Sequence, residues 1–199
     1  MERPKMAPKE REVSVAVSNF LLCAVALMAA YRARKVNLGS AAGFLMQACA
    51  GFLGSIYSCS QAPSALLTQC QREMHRVATV IGLPLLSFGF HWLNGDRLAA
   101  NSAVTGGIVA AACSDYLGEE SRELAVRTAI AAPLLSVLAV CIFTANLCGV
   151  AVSLSGVVRE IGPGRLLGLK KADLLNFLLT SGIVALQRAL DTQHRAGAA

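Results

Sequence analysis

Apolar residues run along this chain in long blocks that carry almost no charge: 13–31, 38–57, 77–93, 98–114, 125–158 and 172–190. A helix needs about 20 residues to cross a hydrocarbon core about 30 Å thick, and most of these blocks have that length, with the charges between them. The pattern predicts an all-α, polytopic transmembrane helix bundle. Residues 125–158 exceed one crossing, since a single helix of that length would reach about 51 Å. Asn146 and Gly149 offer a turn, which divides the block into a full span over 125–143 and a short one over 148–158. The expectation is six to seven spans, seven with one short. They form a single domain over 13–190, between an amino-terminal tail (1–12) and a carboxy-terminal tail (191–199).

Finer patterns distinguish the spans. In the second, Gly39, Gly43, Gln47, Gly51 and Ser55 fall on one helical row, and in the fourth Ala99, Ala103, Gly107 and Ala111 do the same. Rows of small residues let helix backbones approach closely in lipid. We expect the second span to pack on the fourth, with Gly43 and Gly51 facing Ala103 and Gly107. Residues 58–76 read as a loop with a short surface helix. Pro84 removes the hydrogen bond to the Val80 carbonyl and predicts a kink in the third span. Asn94-Gly95 supplies the backbone angles of a tight turn and Asp96 suits a helix cap, so the third and fourth spans form an antiparallel hairpin. Residues 115–127 are acidic and read as a solvated connection.

The composition supports a membrane location. The chain has 199 residues, of which 55% are apolar and 15% charged, well below the quarter usual in soluble domains. The net charge of +6 arises from 18 basic residues gathered in small clusters at span ends. That distribution fits topology signals and headgroup contacts rather than a nucleic-acid footprint. Under seven spans the amino-terminal side holds Arg3, Lys5, Lys9, Arg11, Arg72, Arg76, Arg122, Arg127, Arg159, Arg165, Lys170 and Lys171, two thirds of the basic residues. This bias predicts a cytosolic amino terminus, against which Arg32, Arg34 and Lys35 stand as an exception. The first block is too long for a cleaved signal core and reads as a retained anchor. Nothing in the composition chooses between an endomembrane and the plasma membrane.

Candidate chemistry is sparse. The seven cysteines show no metal-ligand spacing, and Cys59 and Cys70 in one loop suit either a disulfide or palmitoylation. His91, Asn94, Asp96, Arg97 and Asn101 gather near one membrane surface, where an acid–base role competes with an interfacial anchor, a turn and a cap. In the last span Asp173, Asn176, Thr180 and Gln187 form a polar stripe, and Asn146 adds another buried amide. Such a stripe faces the bundle interior or a wet cavity. No catalytic motif, metal set, cofactor loop or mid-depth acidic residue is present, so no catalytic, cofactor or metal residues are assigned. Cys113-Ser114-Asp115-Tyr116-Leu117 is similar to the Ser-Asp pair of lysoplasmalogenase-type hydrolases, but the acidic partners such an enzyme needs are absent.

The run Ala78-Thr79-Val80-Ile81-Gly82-Leu83-Pro84-Leu85-Leu86, continuing through Phe90-His91-Trp92-Leu93-Asn94-Gly95-Asp96-Arg97, resembles the vertebrate transmembrane protein 276 family. Ala41-Ala42-Gly43-Phe44-Leu45 with Gln47, and Phe143-Thr144-Ala145-Asn146 with Gly149, extend the resemblance over the middle of the chain. It implies a small multi-pass membrane protein and carries over no catalytic residue. The expected function is non-enzymatic, through helix contacts in the bilayer with a second copy or a membrane-protein partner. A small-solute transporter or channel using the stripe of the last span is the alternative, and a lipid-modifying enzyme the third reading.

Overall fold

The computed structural model describes residues 13–60, 62–113, 116, 118–143, 165–166 and 169–197. Within them the chain forms α1 (Val13–Ala33), α2 (Leu38–Cys59), α3 (Ala65–Val77), a π-helical turn (Ala78–Gly82), α4 (Leu83–Leu93), α5 (Arg97–Cys113), α6 (Glu119–Phe143) and α7 (Lys171–Gly197). A two-residue antiparallel ladder pairs Arg165 with Lys170 and Leu166 with Leu169 ahead of α7. Three helices are long and apolar enough to cross a membrane: α1, α2 and the continuous helix Ala65–Leu93. Residues 148–158 and Asn146, assigned above to a short span and its turn, lie outside the described residues.

Local signals explain the helix ends. Asn37 is extended and its side chain accepts from the Ser40 amide (3.1 Å), which starts α2. Ser64 does the same for Leu67 (3.2 Å) at the start of α3. Asp96 Oδ1 accepts from the Ala99 amide (3.0 Å), and Gly95 takes a positive φ of 78°, so the hairpin turn between α4 and α5 is built as its sequence predicts.

The structure departs from the sequence expectations in several places. The short surface helix expected within 58–76 is present as α3, which has no buried residue, but it is 13 residues long and runs without a break into the third apolar block. Pro84 sits in the first turn of α4, directly after the π turn. A π turn absorbs a residue that cannot donate to the carbonyl four positions back. The acidic connection is shorter than expected, because α6 begins at Glu119 and contains Pro133 in its interior. The segment expected as a carboxy-terminal tail continues α7 to Gly197.

α4 is central, with α2, α5, α6 and α7 around it, while α1 packs between α2 and α7. The core gathers Leu22, Cys23, Ala26, Phe44, Phe90 and Ile183 from α1, α2, α4 and α7. The expected pairing of the second and fourth apolar blocks does not occur. A Cβ at Gly51 would lie 2.9 Å from the Asn19 carbonyl oxygen and 3.0 Å from the Cys23 amide nitrogen, so this glycine meets the backbone of α1. One at Gly43 would lie 2.7 Å from the Gly82 carbonyl oxygen, in the π turn. At Gly107 it would lie 2.8 Å from both Pro84 Cγ and the Val80 carbonyl oxygen. The small rows do permit close approach, but each meets the long helix through Pro84 or α1, because α4 stands between α2 and α5. The fourth expected packing residue, Ala103, is half-buried.

Candidate functional site

The polar residues singled out in the sequence separate into two groups. Around the α4–α5 turn, Asn94 donates through Nδ2 to the Phe90 carbonyl (2.8 Å) and Asp96 is occupied as a cap. The Arg97 guanidinium lies 5.3 Å from the centre of the Trp92 ring, which stacks on Phe88. This is an aromatic and cationic anchor of the kind found at a membrane surface. Asp96, Arg97 and Asn101 are exposed, while His91 is only 5% exposed and faces inward. The five residues therefore share a region without converging on one point.

The stripe of the last block is spent on packing. Asn176 Nδ2 donates to Ser18 Oγ of α1 (3.0 Å), and Thr180 Oγ1 donates to the Asn176 carbonyl (2.7 Å). Gln187 Nε2 donates to Asp191 Oδ2 one turn on (2.6 Å). The turn is tied to α7 through a residue that the sequence did not single out and that lies off the stripe: Gln193 Nε2 donates to Asn94 Oδ1. Gln47, buried in α2, donates to the Ala78 carbonyl at the π turn (2.8 Å). Among the described residues, Asn176 thus joins two helices, Gln47 satisfies backbone that the π turn disturbs, and Gln187 is spent within its own helix.

A cleft of about 680 Å³ opens between α4, α5 and α6. From α5 its wall is made by Ala99, Ser102, Ala103, Gly106, Gly107 and Ala110, from α4 by Pro84 and His91, and from α6 by Thr128, Pro133 and Ser136. Ser136 Oγ donates to the Pro133 carbonyl (2.9 Å), so the bond between the Ser87 and Ser136 hydroxyls (3.0 Å) has Ser87 as donor. His91 Nδ1 is buried and has no hydrogen-bond partner. Of these residues the sequence pointed to Pro84, His91, Ala99, Ala103 and Gly107. Ser87, Thr128, Pro133 and Ser136 went unnoticed, although single hydroxyls and a proline within apolar helices are the signal that could have found them.

Among the described residues no group of three or more His, Cys, Asp or Glu side chains could hold a metal ion. Cys59 and Cys70 are free, exposed thiols and do not form the disulfide considered for them.

No family model matches the chain, and no solved structure matches it. Curated relatives do. The chain is 38% identical over 194 residues to transmembrane protein 276 of Homo sapiens, covering 95% of this chain and 98% of the relative. It is 37% identical over 194 residues to transmembrane protein 276 of Mus musculus, with the same coverage. With transmembrane protein 276 of Bos taurus it shares 40% identity over 190 residues, 92% of this chain and 94% of that one.

Proposed function

Because the chain belongs to the transmembrane protein 276 family, a family of membrane proteins, we propose that it is a non-enzymatic, multi-pass protein that acts through helix contacts in the bilayer. In this reading α1, α2, the helix Ala65–Leu93, α5, α6 and α7 cross the membrane, 148–158 adds a short seventh passage, and the amino terminus is cytosolic. The partner is a transmembrane helix, either of a second copy or of another membrane protein.

One observation carries the reading, the outer face of α5. Leu98, Asn101, Thr105, Ile108 and Ala112 recur at helical spacing and are all exposed, Leu98 at 80%. The Asn101 side chain makes no hydrogen bond among the described residues. A carboxamide on the outer face of a membrane helix gains from a hydrogen bond to a neighbouring helix, and a threonine hydroxyl, which can also return to a carbonyl of its own helix, adds to such a contact. The outward face of α1 is different: Val13, Val17, Phe20, Leu27 and Met28 are large and apolar, as lipid contact asks. Gln47, Asn176 and Gln187, which a solute path would use, are meanwhile engaged within the chain, which favours a contact role over transport.

Cysteine replacement of Thr105 and Ile108 tests this, in a background with the exposed Cys49, Cys59, Cys70 and Cys113 changed to alanine. Oxidation in native membranes is expected to give a covalent product that Asn101→Leu weakens. Absence of any product from every position on this face would overturn the reading.

A further inference from the structure

The cleft between α4, α5 and α6 has the character of a ligand site within the bilayer. No charged side chain is among its described lining residues. Ser102, Gly106, Thr128 and Ala132 are exposed along its edges, so it opens sideways between α5 and α6. From Ala99 to Ala110 the α5 wall extends about 16 Å, and Ala103, Gly106, Gly107 and Ala110, with no side-chain atom beyond Cβ, leave it low and even. His91 stands at the end nearest the Asn94-Gly95 turn, hence nearest the membrane surface. It is 5% exposed, lines the cleft, and keeps an unpartnered Nδ1. Nδ1 itself is sealed from the cleft, so a hydroxyl at this end would meet the imidazole at the edge of the ring that lines it.

We propose that this cleft binds a membrane sterol, its hydroxyl hydrogen-bonded to the His91 imidazole and its fused rings laid on the small-residue wall of α5. A phospholipid headgroup would call for a cation, and the described lining residues include none. A flexible acyl chain would lose conformational freedom along the even wall, whereas a rigid ring system loses little. The length of the wall is about that of an extended sterol, and the lateral opening admits a ligand from the lipid phase. The site is separate from the outer face of α5 and does not depend on a partner helix.

The test uses the full chain in phosphatidylcholine nanodiscs with a photoactivatable sterol. Labelling is expected within 84–136 and is competed by unlabelled sterol. Gly106→Leu should fill the cleft and reduce labelling at least fivefold; it is a safe substitution, since no atom lies within 4 Å of a Cβ there. His91→Phe keeps the ring volume, removes the hydrogen bond, and should raise the competing sterol concentration about three- to tenfold. A sterol of inverted hydroxyl configuration should show the same loss on the unaltered protein and none on His91→Phe; if His91→Phe does not fold, the epimer comparison stands alone. Equal labelling of the same peptides by a photoactivatable phosphatidylcholine that sterol does not displace would overturn the proposal. So would labelling indifferent to Gly106→Leu, or no labelling at all. Crosslinking of the outer α5 face is read without sterol, so either result stands if the other fails.

Discussion

Gly51→Ala puts the packing of α1 on α2 to a direct test. The added Cβ would lie 2.9 Å from the Asn19 carbonyl oxygen, 3.0 Å from the Cys23 amide nitrogen and 3.3 Å from Cys23 Cα. All three are backbone atoms, so no side-chain rotation relieves the contact and the two helices must separate by several tenths of an ångström. Separation loosens the seam made by Cys23, Ala26, Phe44 and Ala48, where gaps of 0.5–1 Å forfeit a quarter to a half of each contact's attraction. Overpacking of this kind costs about 1–3 kcal/mol. The usual gain from replacing glycine by alanine in a helix, up to about 1 kcal/mol in water, offsets little of this, because the dissociated helices in lipid are already helical. The net expectation is a loss of about 2 kcal/mol, roughly a thirtyfold shift in the folding equilibrium. Gly106→Ala is the control, since its Cβ meets nothing, and it should change stability by less than about 0.5 kcal/mol. Gly54→Ala should fall between them, because its Cβ would meet the movable end of the Asn19 side chain. Denaturant titration in mixed micelles ranks the three, and a Gly51→Ala variant as stable as Gly106→Ala would refute the reasoning.

Three further outcomes are expected. Gln47→Leu leaves the Ala78 carbonyl without its donor and should cost about 1–3 kcal/mol, with faster amide exchange confined to the π turn and the start of α4; uniform exchange along the helix would speak against this role. A double-mutant cycle of Asn176→Leu with Ser18→Ala should give a coupling of about 0.5–1.5 kcal/mol, and additive effects would mean that the α1–α7 bond contributes nothing. In proteoliposomes, small polar solutes should not move with the unaltered chain, Asn176→Leu or Gln187→Leu, and a flux abolished by either substitution would restore the transport reading.

How much of this was legible in the sequence differs from element to element. The Asn94-Gly95-Asp96 turn could be read outright, since a positive φ and a capping carboxylate are properties of residues next to each other in the chain. The first three apolar blocks likewise announced helices long enough for a membrane, because bilayer thickness acts on each segment alone. The small rows on α2 and α5 were visible, but their partners were not. The sequence paired them with each other, whereas the fold puts α4 between them and sends Gly51 to α1 and Gly107 to Pro84.

The polar residues show the same division. Asn176 and Gln187 were found as a stripe by helical spacing, yet spacing does not say whether a stripe faces water or a hydroxyl on another helix. The Ser18 hydroxyl of α1 answers that for Asn176, whereas Gln187 turns to Asp191 on its own helix. Pro84 announced a disturbed helix, and only the assembled structure supplied the π turn that absorbs it and the Gln47 side chain that satisfies its first carbonyl. The cleft had no signature at all, for it is made of what three helices leave unfilled. The sequence by itself determined the helices, their caps and their membrane character, since these depend on neighbours along the chain and on the thickness of the bilayer. Only the tertiary structure decided which small face meets which backbone and where His91 is left with an unspent nitrogen, because those depend on the order in which helices stand around α4.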